Sequence, residues 1–184
     1  MRTAPAPRAL TGFSRIDSAL ELTDQQLGTL KGSGADHDLL AAWLAGSWPG
    51  ETAPDDGDVK AASPWPTSNP LAQVDGEGRF EVVRLLTPVA SAATARLLQA
   101  GIPVGPVLAN HPRRCWELLC VPGAADEIAL YGAVCWGSTL VCPRPGRAAR
   151  GRSWLSVPPP GVLTRPADLV AALLADAPTL RGVA

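Results

Sequence analysis

Short apolar runs separated by turn residues dominate the second half of the chain, and a different texture precedes them. From Arg79 the stretch RFEVVRLL reads as a β-rich run bounded by Gly78 and Pro88. SAATARLLQAG follows with helical spacing, Ala93, Leu97 and Leu98 sharing a face and Gly101 as its stop. VGPVLA and CWELLCV read as strands, and Pro122-Gly123 closes the second. ADEIALYG reads as a short helix or turn. STLVCP and RSWLSVP are further strands, joined by the loop PRPGRAARG. ADLVAALLADA closes the pattern as a helix, with Pro166 at its first turn. The order β-α-β-β-α-β-β-α predicts an α+β domain, a mostly antiparallel sheet with packed helices, over residues 79–184.

Upstream the pattern weakens. Residues 1–15 are rich in Ala, Pro and Arg and read as disordered. Residues 16–48 read as a helical extension: IDSALELTDQQLGTL places Ile16, Leu20, Leu27 and Leu30 at helical spacing, and LLAAWLAGSW gives a short apolar helix. Residues 49–78 carry Pro, Gly, Asp and Ser without period and read as a linker or long loop. Trp65, between two prolines, reads as an intramolecular anchor for that segment.

The 184 residues are 46% apolar and 18% charged, which suits a globular domain with a real core. Gly 18 and Pro 19 argue against a helical bundle. No apolar run is long enough to span a bilayer, and the first residues lack a signal-peptide core, so the expectation is a cytoplasmic protein that does not enter a membrane. Charge is unevenly placed. From Asp17 to Gly78 the balance is eleven acids against two bases, while from Gly101 to Pro160 it is six Arg against three acids. Such asymmetry suits a basic face for an anionic ligand, or an acidic segment covering it.

Candidate chemistry is sparse. Cys115, Cys120, Cys135 and Cys142 contain no C-x-x-C pair and sit in apolar text, so they read as buried reduced thiols. Asp36-His37-Asp38 resembles a metal-binding D-x-D, but its place after Gly-Ser-Gly and before an apolar helix reads as a helix cap. His111 reads as polar surface, and neither dinucleotide nor P-loop glycine patterns occur. Four arginines, Arg144, Arg147, Arg150 and Arg152, crowd one loop between strands, and Arg113 and Arg114 precede another strand. Together they could grip phosphates. Trp116, Trp136 and Trp154 would then offer stacking surface, although Trp in strand text is usually core.

The stretch from Arg79 to about Asp176 resembles the primase-polymerase domain of bifunctional DNA primase/polymerase proteins, in a small and diverged form. The matching text is FEVVRLLTPVASAATARLLQAGIPVGPVL, WELLCVPG, GSTLVCPRPG and GRSWLSVPPPGVLTRPADLVAALL, a little over half the chain. The resemblance implies an RRM-like sheet with two acids two residues apart on one strand, a His on a following strand and a third acid further on, together holding two metal ions. Carried onto this chain, the first acid falls at Glu81, the second position holds Val83 and the His position falls near Trp116. No acid occurs from Ile128 to Ala167, where the third is expected. The resemblance therefore implies a degenerate domain that binds nucleotide, single-stranded DNA or a protein partner without catalysis and without a resident metal or cofactor. Two alternatives stand beside it. One is an active Mg- or Mn-dependent nucleotidyltransferase with relocated acids, in which Glu81 is catalytic. The other is a protein-interaction scaffold.

Overall fold

The structure, a computed structural model, describes residues 37–46, 64–65, 68–123, 128, 134–135 and 137–175. The expected disordered start, the helix at 16–30, Asp36 and Trp136 lie outside the described residues, as does ADEIALYG apart from Ile128. The elements in chain order are α1 (His37–Leu44), β1 (Leu71–Asp75), β2 (Glu81–Leu86), α2 (Thr87–Gln99), β3 (Val107–Asn110), a 3-10 turn (His111–Arg113), β4 (Cys115–Cys120), β5 (Val134–Cys135), β6 (Thr139–Pro143), β7 (Ala148–Ala149), β8 (Arg152–Ser156) and α3 (Pro166–Leu174). This is an α+β architecture with two sheets. None of its helices is long and apolar enough to cross a membrane among the described residues.

Six strands form one sheet in the order β5-β2-β4-β3-β8-β7, and β1 and β6 form a separate ribbon. Every pairing between these strands is antiparallel. β3 and β4 are buried along their whole length, as expected of strands covered on both faces. The two faces separate with strand period two. Val83, Leu85, Val107, Ala109, Trp116, Leu118 and Cys120 join α2 and α3 in one core. Val82, Leu108 and Leu119 face a second core with Phe80, Leu140 and Cys142.

On the first face α2 comes close because four of its six buried positions are alanine: Ala90, Ala92, Ala93 and Ala95. A Schellman turn at Gly101 ends it, with Ile102 N–H on Leu97 O at 2.9 Å and Gly101 N–H on Leu98 O at 3.1 Å. Arg96 Nη1 donates to Ala172 O at 2.8 Å and ties α2 to α3. On the second face α1 buries Leu40, Trp43 and Leu44 against the ribbon. Arg79 donates to the α1 carbonyls of Trp43 at 2.6 Å and Leu44 at 3.5 Å, supplying cation to the helix C-terminus. Trp65 docks here as well, its Nε1 donating to Cys142 O at 3.0 Å.

Three sequence readings are corrected. Residues 71–75, read as linker, form β1, whose five-residue alternation is too short to stand out after a Pro-rich stretch. The boundary read at Arg79 does not separate packed units, because α1 and β1 precede it and share a core with Phe80 and Leu140. STLVCP, read as part of one sheet, pairs instead with β1 in the ribbon.

Candidate functional site

One end of the six-stranded sheet gathers Arg113, Arg114, Arg150 and Arg152. There β2 ends at Leu86, β3 ends at Asn110, β4 starts at Cys115 and β8 starts at Arg152, with Leu86 opposite Cys115 and Asn110 opposite both Cys115 and Arg152. Two turns close this end. The first, between β3 and β4, carries His111, Arg113 and Arg114, all exposed. The second is the two-residue hairpin Arg150-Gly151, closed by the Ala149–Arg152 pair. The turns touch. His111 N–H donates to Gly151 O at 2.9 Å, and a Cβ on Gly151 would lie 2.8 Å from Pro112 Cδ.

Both turns place an arginine where a smaller residue is favoured. Among the described residues the non-glycine positions with left-handed φ are Arg114 and Arg150, each at 49°. Arg114 ends the 3-10 turn, its N–H on His111 O at 3.0 Å, a position suited to Gly or Asn. Arg150 opens a hairpin turn whose second residue, Gly151, has φ 71°; that two-fold left-handed geometry prefers Asn-Gly. A left-handed conformation costs an ordinary L residue about 1 kcal/mol or more. The guanidinium groups of Arg114 and Arg150 make no protein hydrogen bond or ion pair among the described residues.

Behind the turns lies a buried ionic network. Glu117, in the middle of β4, is 1% exposed. Its Oε1 accepts Arg84 Nη2 at 2.5 Å, Arg84 Nε at 3.1 Å and Asn110 Nδ2 at 3.2 Å. Its Oε2 accepts Arg152 Nη1 at 2.9 Å. Arg152 also donates to the Val141 carbonyl of the ribbon. Two guanidinium groups on one carboxylate leave the network net positive. Cys115 stands beside it. Burial pushes that thiol up, Arg84 pulls it down, Glu117 pushes up, and Arg152 and Arg113 pull down, with burial prevailing. Cys115, Cys120 and Cys142 are buried and form no disulfide among the described residues.

The six arginines singled out in the sequence therefore divide three ways. Arg113, Arg114 and Arg150 lie on the two turns at the sheet end. Arg152 turns inward to Glu117. Arg144 and Arg147 lie on the turn after β6, where Arg144 pairs with Asp38 of α1 at 2.8 Å and Arg147 lines a groove. Glu81 lies at the opposite end of β2 from Leu86, across from Cys120, and its Oε1 accepts Gly123 N–H at 2.9 Å. The structure does not bring it to the arginines. Val83 and Trp116 are buried in the helix-side core, so Trp116 presents no stacking face. Trp154 is half-buried, its Nε1 on Pro143 O at 2.9 Å. Among the described residues no three His, Cys, Asp or Glu side chains cluster closely enough to hold a metal ion.

Sequence reasoning missed Glu117. The signal was a lone acid at the centre of CWELLC and a lone Arg in EVVRLL, because a charge inside an apolar strand must find a partner. Pairing them required the β2–β4 register, which sets Arg84 opposite Glu117. No family model, no curated protein and no solved structure matches the chain.

Proposed function

We propose that this chain is a binding domain without catalysis, a diverged primase-polymerase-like fold whose sheet end takes the phosphates of single-stranded nucleic acid. The observation that supports this reading most is the pair of left-handed arginines on touching turns, Arg114 and Arg150. A turn that tolerates strain where Gly or Asn would relieve it retains the arginine for what its side chain does. Arg113 adds a third cation on the same turn, and the net-positive Glu117 network behind them raises the local potential. Glu81 supports no metal-dependent step in this reading, since Val83 and Trp116 occupy the positions where the resemblance calls for a second acid and a His.

The test is fluorescence anisotropy with labelled single-stranded DNA across a salt series. Affinity should fall as salt rises, and each arginine changed to Gln at 113, 114 or 150 should reduce the logarithmic slope by about 0.7. Binding that ignores both salt and these substitutions defeats the reading. Manganese-dependent nucleotide incorporation lost in Glu81→Ala would replace it with the enzyme reading.

A further inference from the structure

Among the described residues the outer edge of β8 is only partly covered. Its inner edge pairs with β3 from Arg152 to Ser156, whereas β7 pairs with it only at Arg152 and Ser153. In a two-residue hairpin the closing pair, here Ala149 and Arg152, exchanges backbone hydrogen bonds. Alternation then sends the Ser153 backbone groups to β3 and those of Trp154 outward, past the start of β7. Among the described residues no strand continues the pairing there. The preceding chain turns away instead, with Gly146 at φ 80° and Arg147 N–H folded back on Arg144 O at 2.9 Å.

That divergence opens a groove of about 330 Å³. Arg147 and Ala148 line it from the β7 side, Trp154, Leu155 and Val157 from β8 and the chain after it, and His37 of α1 also lines it. Trp154 and Leu155 are half-buried, and the indole is fixed by its bond to Pro143 O. Among the described residues no acid lines the groove. Arg144, on the same turn, is already met by Asp38, so Arg147 is the charge that an occupant must answer. An open strand edge beside half-exposed apolar side chains is a template for a further strand.

We propose that this groove takes an extended acidic peptide from a partner protein by strand addition to β8. The peptide occupies the place that a longer β7 would fill. Its backbone pairs with Trp154, an apolar side chain lies against Trp154 and Leu155, and a carboxylate faces Arg147. This surface is separate from the sheet-end turns of the proposed nucleic-acid site, so the two stand or fall independently.

The experiment uses the full chain and fluorescein-labelled peptides of about eight residues. One alternates valine with aspartate, one valine with lysine, and one is the aspartate peptide methylated at alternate backbone nitrogens. Saturable binding of the aspartate peptide is expected, weaker by about tenfold or more for the lysine peptide, for the methylated peptide and for Arg147→Glu. No saturation by about 1 mM aspartate peptide overturns the proposal. Equal binding of the methylated peptide overturns it too, and needs no variant to fold.

Discussion

Arg152 of β8 reaches over β3 to Glu117 of β4, its Nη1 standing 2.9 Å from the carboxylate Oε2. The pair joins two strands that do not touch, and Arg84 completes it from the other side at 2.5 Å. A carboxylate 1% exposed survives in the sheet because both its oxygens are met. Glu117→Leu leaves two inward guanidinium groups without their anion. It should cost about 3–5 kcal/mol in urea unfolding. Changing Arg84 and Arg152 to Met in the same chain should recover most of that loss, since an apolar triad of similar volume removes the uncompensated charge.

Alkaline pH should weaken the fold through Cys142. Burial first, then Glu117, pushes its thiol from 9.0 up to about 12, against the pull of Arg152. The folded chain therefore holds this proton more tightly than the unfolded chain does. Stability is unaffected by this group below about pH 9 and falls as pH climbs toward about 12, by up to about 4 kcal/mol. Urea midpoints from about pH 8 to about pH 11 should fall less steeply in Cys142→Ala than in the parent.

Much of the fold was legible because its apolar runs are bounded by Gly and Pro: EVVRLL, VLAN, CWELLC, TLVCP and RSWLS all form strands. What escaped depends on partners far along the chain. β1 is a strand because Leu71–Asp75 meets Thr139–Pro143. The site was legible as an arginine-rich composition only. Which arginines share the sheet end depends on the β3–β8 pairing that brings the turn carrying Arg113 and Arg114 against the Arg150-Gly151 hairpin, while Arg152 turns inward to Glu117.

Arg150→Asn should separate the two demands on the hairpin. Asn accepts the left-handed conformation at φ 49° more readily than Arg. The variant should be about 1 kcal/mol more stable by urea unfolding while its affinity for single-stranded DNA falls. A variant both less stable and equally tight in binding would contradict the strain argument.

Thr94 is fully buried in α2, and its Oγ1 has no hydrogen-bond partner among the described residues. Thr94→Val keeps the branched shape and removes the unsatisfied hydroxyl. A gain of about 1 kcal/mol in unfolding free energy is expected.

Gly105 sits where backbone crosses backbone. A Cβ there would lie 2.6 Å from Leu119 O and 2.8 Å from Thr164 N, inside the contact where Thr164 N–H meets Leu119 O at 3.1 Å. Gly105→Ala should lower stability by about 3 kcal/mol, read as a shift in the urea midpoint.

The second core imposes a schedule on the growing chain. The segment from Glu81 to Cys120 supplies β2, α2, β3 and β4, whose β2–β4 and β3–β4 pairings both close within it. The ribbon joins Leu71 to Pro143, a long closure that waits for late residues. Until Thr139–Pro143 has left the ribosome, Val82, Leu108 and Leu119 lack the Leu140 and Cys142 that cover them. That interval is when a half-made molecule is stickiest, and when a holdase chaperone has most to grip.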